Sequence, residues 1–241
     1  MTGRNYSKKW ALWTSLWALA FFAACGGGGG DSADDRQRSY SIQLTNLTAN
    51  QPFGPAGLVV HQPSLSLWEA GDSADVELEE LAEGGNPQPF LDAAATHSMV
   101  VDTFAGTGAI PPGGSETFTI VLPGDEGLSL TLATMLVNTN DAFAGTSGAA
   151  LPILAVGEGR TWYLPAYDAG TEANTETVAT IPGPAAGGEG FNTARDDGNR
   201  IAIHPGIISS QDGQTLSVLE GSHRWDNPVL KVDLCLLYTS P

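Results

Sequence analysis

Hydrophobic and polar positions alternate with a period of two over much of this chain. Tyr40, Ile42 and Leu44 are spaced by Ser41, Gln43 and Thr45, the pattern of a strand with one face buried and the other in water. The same alternation recurs at Phe118, Ile120 and Leu122 among threonines. It recurs again at Leu128, Leu130 and Leu132, where the apolar run continues to Val137. Short apolar runs at 57–61, 99–104, 201–204 and 229–234, with a segment holding Trp162 and Leu164, supply further strands. Proline and glycine clusters at 111–114, 123–124, 182–184 and 187–188 punctuate them. Short strands divided by turn signals predict an all-β fold, an antiparallel sandwich of about eight strands.

One region breaks the period. Asp72 is placed to cap a helix with Val76, Leu78 and Leu81 on its apolar face and Gly84-Gly85 at its end. Pro89 suits the first turn of a second helix through Phe90, Leu91, Ala94 and Ala95. A short helical insert within the sandwich is therefore expected.

The chain's beginning has another character. Arg4, Lys8 and Lys9 precede an apolar run over 10–22, and Ala23-Ala24-Cys25 follows. This is the order of a lipoprotein signal peptide over 1–24, with Cys25 as the lipidation site. Five glycines, then serine and acids, make 25–38 a flexible tether. A strand domain over 39–234 follows. Residues 235–241 do not read like the end of a strand domain and are expected to be a non-native tail. An exported lipoprotein of the bacterial envelope results, with outer-membrane attachment favoured because Gly26 rather than Asp follows Cys25. Which side of that membrane the domain faces is left open.

Charge narrows the partners. The formal net charge is −17, and without the three bases of the leader about −20 remains. Nucleic acid is excluded as a partner, because its affinity rests on basic phosphate contacts. Contact with a membrane is expected only through the lipid anchor. Cys25 and Cys235 are the two cysteines, so no structural disulfide is expected.

Two segments carry the candidate chemistry. Asn138-Thr139-Asn140-Asp141-Ala142-Phe143-Ala144-Gly145 and Tyr167-Asp168-Ala169-Gly170-Thr171-Glu172 both run from apolar strand into acid and glycine. Hard cations such as calcium take six to eight oxygen ligands, and Asp141, Asp168 and Glu172 offer carboxylates with few bases nearby in sequence. The competing reading is three separate solvated acids in turns.

These two segments resemble the signature of the spondin N-terminal domain, in the form found in bacterial spondin-domain lipoproteins. Leu67-Trp68-Glu69, His61, Thr180-Ile181-Pro182 and the 228–232 strand fit the same pattern, so the resemblance covers most of 40–234. It implies a C2-like sandwich with calcium held by Asp141, Asp168 and Glu172. Glu172 stands where the family has Asp, which lengthens the arm and keeps the charge. Asn138 and Asn140 are further candidate ligands. An affinity near ~10⁻⁴ to 10⁻³ M is expected for an extracellular module.

Other chemistries find little support. His61, His97, His204 and His223 show no zinc-ligand spacing, and His204 reads as structural. Gly145-Thr146-Ser147-Gly148 is not a nucleophile elbow. Trp162 and Trp225 read as core, with a sugar-stacking face as the alternative. The leading functional expectation is a non-enzymatic binding or adhesion module with calcium as cofactor and a protein or glycan ligand at the cell surface. The alternatives are a secreted hydrolase of polysaccharide or ester substrates and a purely structural envelope lipoprotein.

Overall fold

The computed structural model describes residues 37–124 and 127–240. The expected signal peptide over 1–24, the lipidation site Cys25 and the tether as far as residue 36 lie outside the described residues. Among the described residues no helix is long and apolar enough to cross a membrane.

Ten strands form two antiparallel sheets. β1 (Gln37–Asn46), β4 (Ser115–Pro123), β7 (Gly159–Leu164) and β10 (Leu230–Thr239) make a four-stranded sheet in the order β4-β1-β10-β7. β2 (Gly57–His61), β3 (Val100–Ala105), β5 (Ser129–Met135), β6 (Ala142–Ala150), β8 (Ala166–Asp168) and β9 (Ala202–Ile203) make the second, in the order β3-β2-β5-β6-β8-β9. The all-β sandwich with a short helical insert is therefore the architecture.

The insert explains why the two sheets differ in pattern. α1 (Val76–Gly84) and α2 (Gln88–Ala95) cover the outer face of the six-stranded sheet. On its inner face Leu58, Val60, Leu130, Leu132, Ala142 and Ala144 meet Ile42, Leu44, Ile120, Val232 and Leu234 of the other sheet. On its outer face Val59, Ala133 and Phe143 meet Leu78, Leu81, Phe90 and Leu91 of the helices. β5 is consequently buried at every position, and a strand buried on both faces loses the period-two signal that marks a half-wet one. The four-stranded sheet keeps one wet face, so β4 alternates exposed residues with half-buried ones and then with the buried Ile120 and Leu122.

Several expectations are corrected. The cap of α1 is Asp75 rather than Asp72, and its side chain makes no capping hydrogen bond. Val76 is 46% exposed because it lies in the first turn, ahead of the buried stripe. Gly84 closes the helix and Gly85 adopts a left-handed φ of 67°, as the glycine pair suggested. β6 occupies a stretch expected to be loop. Its small residues, Ala142, Ala144 and Gly145, lie flat between packed neighbours, and a Cβ at Gly145 would fall 2.1 Å from the Leu132 carbonyl oxygen. The last strand does not stop at Leu234. β10 runs on to Thr239, pairs with Arg38 there, and buries Leu236 in the core. At the other end β1 already starts at Gln37, two residues before the expected boundary.

Candidate metal centre

The two acidic segments meet because of strand pairing. Asp141 immediately precedes β6 and Asp168 ends β8, and the register pairs Ala142 with Asp168. Asp141 then organises the loop beyond. Its Oδ2 accepts the backbone N–H of Thr171 at 2.8 Å, that of Glu172 at 3.1 Å and the Thr171 hydroxyl at 3.2 Å. Only glycine fits between these acids. Gly170 has φ 72°, and a Cβ on it would lie 2.5 Å from the Arg200 backbone.

All three expected acids are buried, so they are not solvated turn residues. Asp141 is 0% exposed, and its Oδ1 has no hydrogen-bond donor among the described residues. Burial raises the Asp141 carboxyl to about 7, helped by the Asp168 charge and opposed by the Glu172 and Thr171 donors. Glu172 is likewise raised to about 7 by burial, with Glu83 the strongest repelling charge, ahead of Asp141.

Asp168 is held by a relay from β9's far side. Its Oδ1 accepts from Gly170 N at 2.8 Å and its Oδ2 from Asn174 Nδ2 at 2.7 Å. Asn174 Oδ1 in turn lies 3.0 Å from His204 Nε2, while His204 Nδ1 accepts from Gly206 N at 2.9 Å. The Gly206 contact places the ring proton on Nε2, so His204 donates to Asn174 and Asn174 donates to Asp168. Burial lowers the His204 pKa despite the nearby Asp168 charge, which keeps the ring neutral. His204 is thus a buried structural histidine, as expected, but one that orients a candidate ligand.

The two candidate asparagines part company. Asn140 stays at the site, with Nδ2 3.4 Å from Glu172 Oε2 and Oδ1 accepting from Glu176 N at 3.3 Å. Asn138 is engaged elsewhere, accepting from Ala185 N at 3.0 Å and donating to Asn50 O at 3.3 Å.

Sequence reasoning missed Glu79, Glu83, Thr171 and Asn174. Glu79 and Glu83 lie on the buried face of α1 with Leu78 and Ala82, and two acids in a helix's apolar stripe were the available signal. Arg195 Nε donates to Glu79 Oε2 at 2.9 Å. Among the described residues no basic side chain pairs with Asp141, Glu172 or Glu83, and the nearest to Asp168 is the neutral His204, 4.0 Å away.

As they stand, the carboxylates do not converge: among the described residues no group of three or more His, Cys, Asp or Glu forms a metal-holding cluster. The donor set still suits a hard cation, being all oxygen, mostly anionic and buried, with one oxygen that nothing satisfies.

A separate open groove of about 480 Å³ lies beside this corner. Trp68, Glu69, Thr146, Ser147 and Tyr167 line it, without a histidine or a second acid. Trp68, Phe143 and Tyr167 pack their rings together beneath it, with centroids 5.0 to 5.6 Å apart. No protein-family sequence model matches the chain, and comparison with curated proteins finds no significant match.

Proposed function

We propose that this protein is a calcium-binding, non-enzymatic recognition module of the spondin type, anchored at the bacterial envelope through lipidated Cys25. The observation that carries the reading is Asp141 Oδ1, buried without a donor beside two further buried acids, Asp168 and Glu172, with no lysine or arginine paired to the group among the described residues. An isolated buried charge is costly, and a carboxylate so placed takes up either a proton or a cation. Calcium, when bound, would supply the missing positive charge and satisfy the carboxylate oxygens.

The chain's own residues do the positioning. Thr171 and Glu172 amides hold Asp141, and Asn174 and His204 hold Asp168. Tyr167 precedes Asp168 and forms one wall of the groove. Ordering Asp168 therefore also orders a recognition surface, whose ligand is a protein or glycan and not nucleic acid. The groove favours binding over hydrolysis, since Ser147 has no imidazole there and Glu69 no partner acid.

A thermal melt of the full-length chain with calcium and with chelator, beside Asp168→Ala, tests this. At a hundredfold excess over Kd calcium contributes about 2.7 kcal/mol, a rise of several degrees in the wild type that is lost in the variant. An unchanged wild-type melt refutes the proposal.

A further inference from the structure

A third segment joins α1 to the acidic loop. Residues 192–200 belong to no helix or strand, and they hydrogen-bond to both. Toward α1, Asn192 N donates to Glu83 Oε2 at 2.9 Å. Arg195 donates through Nε to Glu79 Oε2 at 2.9 Å and through Nη2 to Ala74 O at 2.8 Å. Toward the loop, Asn199 N donates to Gly170 O at 2.7 Å and Asp196 N to Thr171 O at 3.1 Å. Asp196 Oδ1 accepts from Ala173 N at 2.8 Å, and the Arg200 backbone lies close against Gly170.

The segment and the residues it touches differ in kind. From 192 to 200 every residue is exposed or half-buried, and none is large and apolar. Glu79, Glu83 and Thr171, to which it bonds, are buried. Glu79 Oε1 and Glu83 Oε1 have no donor among the described residues. Apolar anchors stand only at the segment's ends. Ile201 is buried in the cluster under α1, and a Cβ on Gly84 would lie 3.5 Å from the Phe191 Cβ. Between those anchors polar contacts alone hold the chain. A stretch with exposed backbone hydrogen bonds and no buried apolar side chain opens locally, well before the whole fold does. Its strongest single contact is the Arg195–Glu79 pair, because both partners are charged.

We propose that residues 192–200 form a lid over the acidic corner, hinged at Phe191 and Ile201 and latched to α1 by Arg195, and that its opening is how solvent and cations reach the acids beneath. The calcium reading is needed only for the identity of the cation that enters. Arg195 is a positioning residue, since its hydrogen bonds go to Glu79, Ala74 and Asn199 and to none of Asp141, Asp168 or Glu172.

Two metal-free measurements on the full-length chain in chelator test the lid: native-state hydrogen exchange, and carbodiimide labelling of carboxyl groups read by mass spectrometry. In the wild type the amides of Ala173, Asn192, Asp196 and Asn199 should exchange together and faster than those of β5. Arg195→Gln, which removes the latch's charge, should speed those four by roughly tenfold or more and leave β5 unchanged. Labelling of Glu83 should rise with them. Labelling of Glu176, buried but bonded instead to Ile208 N and Ser217 Oγ, should not, whereas general loosening would raise both. Should Arg195→Gln fail to fold, Glu79→Gln weakens the same pair from the other side. Four amides that exchange only with β5, or variant exchange and Glu83 labelling equal to wild type, overturn the proposal. Calorimetry with calcium separates the two readings: a wild type that shows the lid exchange and takes up no calcium supports the lid and overturns the calcium reading.

Discussion

The space between the two sheets and the corner beneath α1 are both sealed from water, yet they are built on opposite terms. Between the sheets, Ile42, Leu44, Leu58, Leu130 and Leu132 pack in one apolar cluster, and burial itself stabilises them, by about 1.5–3 kcal/mol per large side chain. In the corner, Asp141, Glu172 and Glu83 are buried to a similar degree, and burial opposes their charge. The first region is complete as it stands. The second holds three carboxylate oxygens without donors, Asp141 Oδ1, Glu83 Oε1 and Glu79 Oε1. Stability and incompleteness lie one residue apart, since Ala142 is in the apolar core and Asp141 is in the acidic corner.

The comparison can be broken most forcefully in the core. Leu132→Ala leaves a cavity between sheet and sheet and should cost about 2–5 kcal/mol in urea unfolding. The cost should be equal with calcium and with chelator, because the core has no stake in the metal. A calcium-dependent cost would show that the two regions are not independent.

Next in size is the response to pH without calcium. Asp141 and Glu172 ionise near 4 when unfolded and near 7 when folded. Between those values the folded state binds more protons, so stability is greatest toward the acid side and falls as pH rises through about 7. His204 works the other way below its ordinary 6.5, since burial lowers it, but it is one group against three, because burial raises Glu83 as well. Denaturation curves from pH 5 to 8 should therefore show a net fall on the order of a few kcal/mol. Asp141→Asn should flatten much of it, and saturating calcium should oppose it, with apparent calcium affinity rising through the same window. A rise in calcium-free stability over that range would contradict the picture of uncompensated acids.

The smallest stability effect sharpens the role of the relay. Asn174→Ala removes the donor to Asp168 and the acceptor for His204, which should cost about 1 kcal/mol. Calcium affinity should fall more steeply, by roughly 10–100-fold, as for other groups that orient a ligand. Equal losses in stability and affinity would make Asn174 a packing residue only.

The sandwich was legible because period-two alternation survives wherever one sheet face is wet, as in β1 and β4. The helical insert was legible from Gly84-Gly85 and Pro89, whose backbone preferences act locally. The three acids were legible as a group because both segments run from apolar strand into acid and glycine, and because the resemblance of those segments to the spondin signature implies calcium there. What alternation could not disclose was β6, whose Ala142 and Ala144 fill the core between the sheets and whose Gly145 lies against the Leu132 carbonyl of β5, where small residues carry no strong apolar signal. Nor could it place the end of β10, because the pairing of Thr239 with Arg38 joins residues two hundred positions apart.

By itself, then, the sequence determined the class of the fold and the identity of the acids. Tertiary structure alone decided that Asp141, Asp168 and Glu172 are buried rather than solvated, and that Glu83 on α1 is buried as well. The physical reason is that a side chain's charge is a local property, while its desolvation depends on what the rest of the chain packs over it.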